Sequence, residues 1–181
     1  MALIYISVGS NIDRERHVSA AYLELHLLFG TLRCSRVFES EAVGFSGDAF
    51  YNLVIEAHTE MSVADCVSAL KNLEQRYGKA AASPKFCGKT LDLDLLTYDD
   101  LVCQQPVELP RGEILKNAFV LWPLAELAPD QRHPVTQQSY QALWQAYQEP
   151  QKLEPIEFVW PDPTVVLPAS LLPADAQPVC V

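Results

Sequence analysis

Residues 90–95 have the sequence Thr-Leu-Asp-Leu-Asp-Leu, in which apolar and acidic side chains alternate strictly from Leu91 onward. A period of two is typical of a β-strand, because successive side chains point to opposite faces of a sheet. The three leucines are therefore predicted to face a hydrophobic core. Asp92 and Asp94 then share the other face, with Cα atoms about 7 Å apart.

Two helical patterns and three further strand patterns precede this strand. Residues 62–78 form the clearest helix, because apolar residues recur at three- and four-residue steps, Ser62 and Asp65 have capping spacing, and Gly78 supplies a stop. The complete series has the order β-α-β-β-α-β, with elements at residues 3–8, 13–29, 31–38, 50–57, 62–78 and 90–98. This order predicts an α+β fold of the ferredoxin-like, or split-βαβ, type, followed by C-terminal helices.

The composition is that of a soluble globular protein with an acidic balance. The 181 residues include 13 Lys and Arg against 23 Asp and Glu, a formal net charge of −10. Such a charge disfavours nonspecific nucleic-acid binding and anionic membrane surfaces. One local stretch, residues 71–89, is basic. It contains the single acid Glu74 and five basic residues: Lys71, Arg76, Lys79, Lys85 and Lys89. A basic stretch in an acidic protein suggests a small anionic ligand.

The cysteines, the N-terminus and the prolines indicate the cellular compartment and the domain organisation. The five cysteines form no C-x-x-C pair, which argues against a disulfide framework or a zinc knuckle. The N-terminus does not resemble a signal peptide, and no apolar run approaches the roughly 18 residues of a membrane span. We therefore expect a cytoplasmic protein. Seven prolines fall in residues 149–181, so we predict a body at residues 1–148 and an extended Pro-rich C-terminal extension.

Paired carboxylates beside a basic loop are the strongest chemical signal. Asp92 and Asp94 could hold Mg²⁺, which is bound by one or two carboxylates plus water and substrate phosphates. The lysines of residues 79–89 would then meet the phosphates. The alternatives are an edge strand with a solvated acidic face and a solvated basic loop. On the predicted strand at residues 50–57, Phe50 and Asn52 share a face and could recognise a flat heterocycle, although both residue types are also ordinary in a half-buried strand.

Five collinear motifs identify a family resemblance that spans about residues 3–147. The motifs are VGSN at residues 8–11, FYN at 50–52, GKTLDLDLL at 88–96, FVLWPL at 119–124 and ELAP at 126–129. The chain resembles the 6-hydroxymethyl-7,8-dihydropterin pyrophosphokinases of folate biosynthesis. The resemblance implies a ferredoxin-like core and transfer of diphosphate from ATP to the pterin hydroxymethyl oxygen, with release of AMP. It also implies two Mg²⁺ ions, small-molecule substrates only, and a monomer.

The resemblance also implies a role for individual residues. Asp92 and Asp94 would hold the metal ions, and Asp94 would lie near the attacking hydroxyl. Substrate would be bound by Phe50 and Phe119, which sandwich the pterin, by Asn52, which pairs with its polar edge, and by the segment at Val43 and Gly44. ATP would contact Lys79, Lys85, Lys89, Leu95 and Arg111, of which Lys89 and Arg111 would also serve catalysis.

The chain departs from the family pattern around the expected nucleotide site. Lysines occupy usual arginine positions at 79, 85 and 89, Arg111 replaces a histidine, and Asn117 replaces an arginine. Lysine keeps the charge but loses the bidentate fork of arginine. Two alternatives therefore stay open at this point. One is a pterin-binding relative with weak or no transferase activity, and the other is a noncatalytic interaction module.

Overall fold

The fold is built on one antiparallel sheet of six strands. A computed structural model describes residues 1–41, 48–78, 90–164 and 171–172. The strands are β1 (Ala2–Ser10), β2 (Arg33–Cys34), β3 (Val37–Ser40), β4 (Phe50–Thr59), β5 (Asp92–Tyr98) and β6 (Leu153–Ile156). The helices are α1 (Arg14–Phe29), α2 (Val63–Gly78), α3 (Glu113–Lys116), α4 (Ala118–Leu127) and α5 (Tyr140–Ala146).

The strand order confirms the predicted ferredoxin-like α+β architecture. The sheet runs β5-β1-β4-β3-β6, and the short β2 pairs with β4 beside β3. The connections from β1 to β2 and from β4 to β5 each contain a helix, as the predicted order requires. No helix within the described part of the chain is long and apolar enough to cross a membrane.

The two faces of the sheet pack against different helices. One face carries Ile4, Ile6 and Val8 of β1 into a core with α1 and α2. On the other face, Tyr5 and Val54 pack with the apolar side chains of α4 and α5. The side chains of β1 therefore alternate between two separate hydrophobic clusters, which is the expected consequence of a strand buried on both sides.

Local sequence signals explain where α2 begins and where α1 ends. Ser62 caps α2, because its hydroxyl accepts the Asp65 N–H at 3.2 Å and donates to the Asp65 carboxylate at 2.7 Å. This pairing confirms the predicted capping spacing. Helix α1 ends at Gly30, whose φ of 79° lies in the left-handed region that favours glycine.

Two predicted strand boundaries are corrected by the structure. The expected strand at residues 31–38 is interrupted and forms β2 and β3. Strand β1 continues beyond its predicted end at residue 8, because Gly9 and Ser10 also pair with β4. Within α4, Pro123 lies in the second turn, where it offers no N–H to the Phe119 carbonyl.

The C-terminal extension contributes a strand to the body of the molecule. Residues 153–156 form β6, which pairs antiparallel with β3 and covers the edge of the sheet. Beyond β6, Phe158 packs edge-to-face against Tyr51, and Trp160 contacts Tyr22 with ring centroids 4.9 Å apart. The described part of the extension is thus held by backbone pairing and aromatic contacts, while a boundary at residue 148 stays a prediction.

Candidate active site

The site begins with a row of residues across three neighbouring strands. Gly9 of β1 pairs with Asp92 of β5 on one side and with Asn52 of β4 on the other. A methyl group at Gly9 would lie 3.5 Å from Asn52 Oδ1 and 3.8 Å from Asp92 Cβ. Because glycine has no side chain, the space between the carboxylate and the amide stays open at this row.

A cavity of about 320 Å³ lies over this row. Its polar side chains come from the sheet, from α2 and from the segment that leads into α4. The site residues among its lining are Asn52, Lys71, Asp92, Asp94, Arg111, Asn117 and Phe119. The structure therefore brings the predicted carboxylates, amide, aromatic ring and Arg111 together, although they are up to 67 positions apart in the sequence.

Arg111 lies beside the second carboxylate of the pair. Its Nη2 is 3.3 Å from Asp94 Oδ1 and 3.0 Å from Glu113 Oε1. The backbone also holds this residue, because the Arg111 N–H donates to the Leu96 carbonyl at 2.9 Å. Its side chain is 22% exposed, so the cation is partly withdrawn from water, which strengthens its interaction with a nearby anion.

Lys71 is a cavity residue that the sequence analysis did not assign to the site. It projects from α2, where Glu74 accepts a hydrogen bond from its Nζ at 2.6 Å. That hydrogen bond raises the pKa of the Lys71 ammonium, and the negative charges of Glu74, Asp94 and Asp92 raise it further. The only sequence signal was its place at the start of the basic stretch.

Glu74 connects this lysine to the strand that carries the carboxylates. Its Oε1 accepts the N–H of Leu93, the residue between Asp92 and Asp94, at 2.7 Å. The Glu74 side chain is 14% exposed, so this contact is largely shielded from solvent. One carboxylate therefore fixes both the position of Lys71 and the backbone of β5.

The opposite end of the cavity is lined by an amide side chain and an aromatic side chain, those of Asn52 and Phe119. Asn52 is buried, and its Nδ2 donates to the Ser40 hydroxyl at 2.8 Å, which orients the side chain. Phe119 lines this cavity and also a second one of about 170 Å³ beside Ser40 and Gln151. Phe50 opens β4 opposite Ser40 and is half-buried.

The remaining predicted site residues divide into two groups. The Leu95 side chain is buried in the core with α1 and α2, so only the backbone of this residue could contact ATP. The others lie outside the described residues: Val43, Gly44, Lys79, Lys85 and Lys89.

The donor set fits a magnesium ion that takes other ligands from its substrate. In the part of the chain that the structure describes, no three His, Cys, Asp or Glu side chains are grouped to hold a metal. Asp92 and Asp94 line the same cavity, and two carboxylates with open space beside them suit Mg²⁺ bound to substrate phosphates. The residues present therefore fit the expected metal.

Fold and site together define an α+β enzyme of the ferredoxin-like class, with its polar site on one face of the sheet. The family model described as 7,8-dihydro-6-hydroxymethylpterin-pyrophosphokinase (HPPK) matches residues 5–129. This match covers more than half of the chain, and the chain belongs to that family.

Bacterial relatives support the same assignment over most of their length. A 2-amino-4-hydroxy-6-hydroxymethyldihydropteridine pyrophosphokinase of Aquifex aeolicus is 29% identical over 138 residues, which cover 75% of this chain and 86% of the relative. The enzyme of the same name from Porphyromonas gingivalis is 32% identical over 136 residues, or 71% of this chain and 92% of the relative.

Among solved structures, the chain resembles the HPPK-DHPS of Plasmodium falciparum with pteroate. The TM-score is 0.66 at 12% sequence identity, over 81% of this chain and 42% of that chain. At this identity the likeness concerns the fold alone. This chain spans less than half of that longer protein.

Proposed function

We propose that this protein transfers the terminal diphosphate of ATP to the hydroxymethyl oxygen of 6-hydroxymethyl-7,8-dihydropterin and releases AMP. The observation that carries the proposal is the row Asp92, Gly9 and Asn52, in which a carboxylate and an amide lie on opposite sides of one open position. Family membership supplies the reaction, and this row supplies a place for both reactants.

The phosphate end is formed by charged side chains. Asp92 and Asp94 would hold Mg²⁺, which when bound neutralises phosphate charge and orients the phosphates of ATP. Lys71 and Arg111 line the same cavity and provide fixed positive charge for phosphate oxygens. Asp94 would orient the attacking hydroxyl, because it contacts Arg111 and lines the same cavity.

The pterin end is formed by one amide and aromatic surface. The Asn52 Nδ2 is engaged by Ser40, so Oδ1 is presented toward Gly9, where it can accept an N–H of the pterin edge. Phe119 offers a ring face for stacking, and Phe50 would close the opposite side. Holding both reactants in one cavity converts a bimolecular reaction into a positioned one, which is the main source of rate in phosphoryl transfer.

Three finer points are part of the same proposal. Two Mg²⁺ ions act in the site, the enzyme works as a monomer, and it works in the cytoplasm. The ion count can be measured by titrating activity and binding with Mg²⁺. The oligomeric state can be measured by sedimentation of the full chain with and without substrates.

The direct test is an assay of AMP release with ATP, Mg²⁺ and the hydroxymethyl-dihydropterin. We expect stoichiometric formation of AMP and the pterin diphosphate, dependent on all three components. Calorimetry with pterin and with a nonhydrolysable ATP analogue plus Mg²⁺ accompanies the assay. Binding of pterin without AMP release would contradict the proposal and favour a noncatalytic pterin-binding relative.

A further inference from the structure

The side chain of Gln151, in the C-terminal extension, forms hydrogen bonds on both sides of the cavity residue Asn117. Its Oε1 accepts the Ala118 N–H at 2.8 Å, and its Nε2 donates to the Lys116 carbonyl at 3.1 Å. The same Lys116 carbonyl accepts the Tyr147 hydroxyl at 2.7 Å. The backbone on both sides of Asn117 is therefore fixed by the side chains of Tyr147 and Gln151, which lie beyond the last of the five motifs.

The start of α4 lacks the side-chain cap that Asn117 could provide. Asn117 is the N-cap of α4, a position where an asparagine side chain commonly accepts a backbone N–H. Its side chain makes no cap hydrogen bond, and it lines the cavity instead. Gln151 satisfies a different donor, the Ala118 N–H at the first position of the helix, so the entry to α4 is held from the extension.

The position of Gln151 also links α4 to the pterin end of the site. Gln151 and Phe119 both line the smaller cavity, which Ser40 closes on the sheet side. Two residues later, Leu153 pairs with Ser40 in the β3–β6 ladder, and Ser40 in turn orients Asn52. The segment from residue 151 to 153 thus contacts the supports of two of the predicted pterin-binding side chains, those of Phe119 and Asn52.

We infer that Gln151 is a positioning residue that holds the start of α4, and with it Phe119, in place for the pterin. It acts through the peptide groups at Lys116 and Ala118 and has no contact with reacting atoms. This inference rests on the proposed function and deepens it, because it assigns part of the pterin site to the extension. It also means that truncation after Glu149 would remove support from the active site.

The test compares three variants of the full chain. Gln151→Ala removes both hydrogen bonds, and we expect the KM for pterin to rise about tenfold, as small displacements of positioning groups are costly. Gln151→Glu keeps the acceptor for the Ala118 N–H but cannot donate to Lys116, so an intermediate KM is expected. The matched control is Gln148→Ala, an exposed glutamine three residues earlier.

The split between substrates distinguishes positioning from a general loss of stability. We expect the KM for ATP and the thermal midpoint of Gln151→Ala to stay close to those of Gln148→Ala. An active wild type with the same pterin KM in Gln151→Ala and Gln148→Ala overturns the inference alone. Equal changes in both KM values also overturn it. A wild type that neither binds pterin nor releases AMP overturns the proposed function as well.

Discussion

The two faces of the sheet are built by the same strands and carry separate hydrophobic clusters, but only one of them also borders the cavity with the predicted site residues. On the face toward α1 and α2, Ile6, Val8 and Leu93 are each no more than 1% exposed and belong to one continuous core. On the other face, the neighbouring row of Gly9, Asn52 and Asp92 borders an open cavity. A strand can therefore serve packing and chemistry at once, because its period of two separates the two tasks.

The two faces should therefore respond differently to substitution. A residue on the packed face should change the free energy of unfolding more than turnover of the folded molecules. A residue that lines the cavity on the other face, here called the open face, should change turnover more than stability, because its side chain borders space and not the cluster with α4 and α5. Strand β5 allows the sharpest comparison, since Asp92, Leu93 and Asp94 are consecutive.

The largest effect is expected on the open face of β5. We predict that Asp94→Asn and Asp92→Asn each lower kcat/KM for AMP release about a thousandfold, because each removes a metal-binding charge from the site. Pterin affinity and the urea midpoint should change little. Asp130→Asn, at an exposed position, is the matched control. Normal activity in either site variant would refute the assignment of that carboxylate.

The packed face of β5 should show the reverse pattern. Leu93→Ala is expected to lower the free energy of unfolding by about 3 kcal/mol, because it opens a cavity in a buried core. Urea denaturation measures this change, and Leu27→Ala, at a leucine that is 72% exposed, serves as control. AMP release per folded molecule should stay near that of the wild type. If the leucine variant instead lost turnover at full stability, the comparison of the faces would fail.

A graded substitution at Gly9 tests the open position itself. A methyl group there meets its neighbours at ordinary contact distances, so Gly9→Ala should fold normally. Gly9→Val should fill the space between Asn52 and Asp92 and lower kcat/KM roughly fiftyfold by displacing the substrates. Calorimetry with pterin checks the cause. Full activity of the valine variant would show that the substrates lie elsewhere.

A smaller effect on activity is expected for Lys71, which also lines the cavity. Lys71→Met should raise the KM for ATP about tenfold while pterin affinity is unchanged, and Lys71→Arg should restore part of the loss. Arg76→Met is a close control, because Arg76 is on the same helix, is similarly exposed and is paired with a carboxylate, that of Glu24. An equal loss in both methionine variants would indicate a general charge effect.

The smallest effect concerns stability at low pH. Burial lowers the pKa of His133, and its Nδ1 accepts the N–H groups of Val135 and Thr136 at 3.2 Å. The unfolded chain therefore takes up the proton first, so the free energy of unfolding should fall as pH drops below about 6.5. Urea denaturation between pH 7.5 and 5 should show a flatter dependence for His133→Asn. The exposed His58→Asn should keep the slope of the wild type.

Most of the fold was accessible from local pattern. The alternation of residues 90–95 correctly assigned the two faces of β5, and the apolar spacing and cap of α2 correctly gave its ends. The interruption between β2 and β3 was missed, because residues 31–38 are uniformly compatible with a strand and only pairing with β4 divides them.

The site could be predicted from the sequence only in part, because some of its residues are placed by contacts between distant segments. Asp92, Asp94 and Asn52 belong to motifs, and the structure places them around one cavity. Lys71 belongs to no motif, and its place depends on how α2 packs against β5. Gln151 lies in an extension whose prolines predicted only an extended chain, and its role depends on the β6 pairing.

Which residues share a face follows from the local sequence, because the geometry of strand and helix is fixed over a few bonds. Which strands are neighbours, and hence that Gly9 separates Asp92 from Asn52, depends on tertiary packing. The same packing also decides that a glutamine from the extension supports the α3–α4 junction. Such contacts join distant parts of the chain, and they depend on packing of the whole molecule more than on any local pattern.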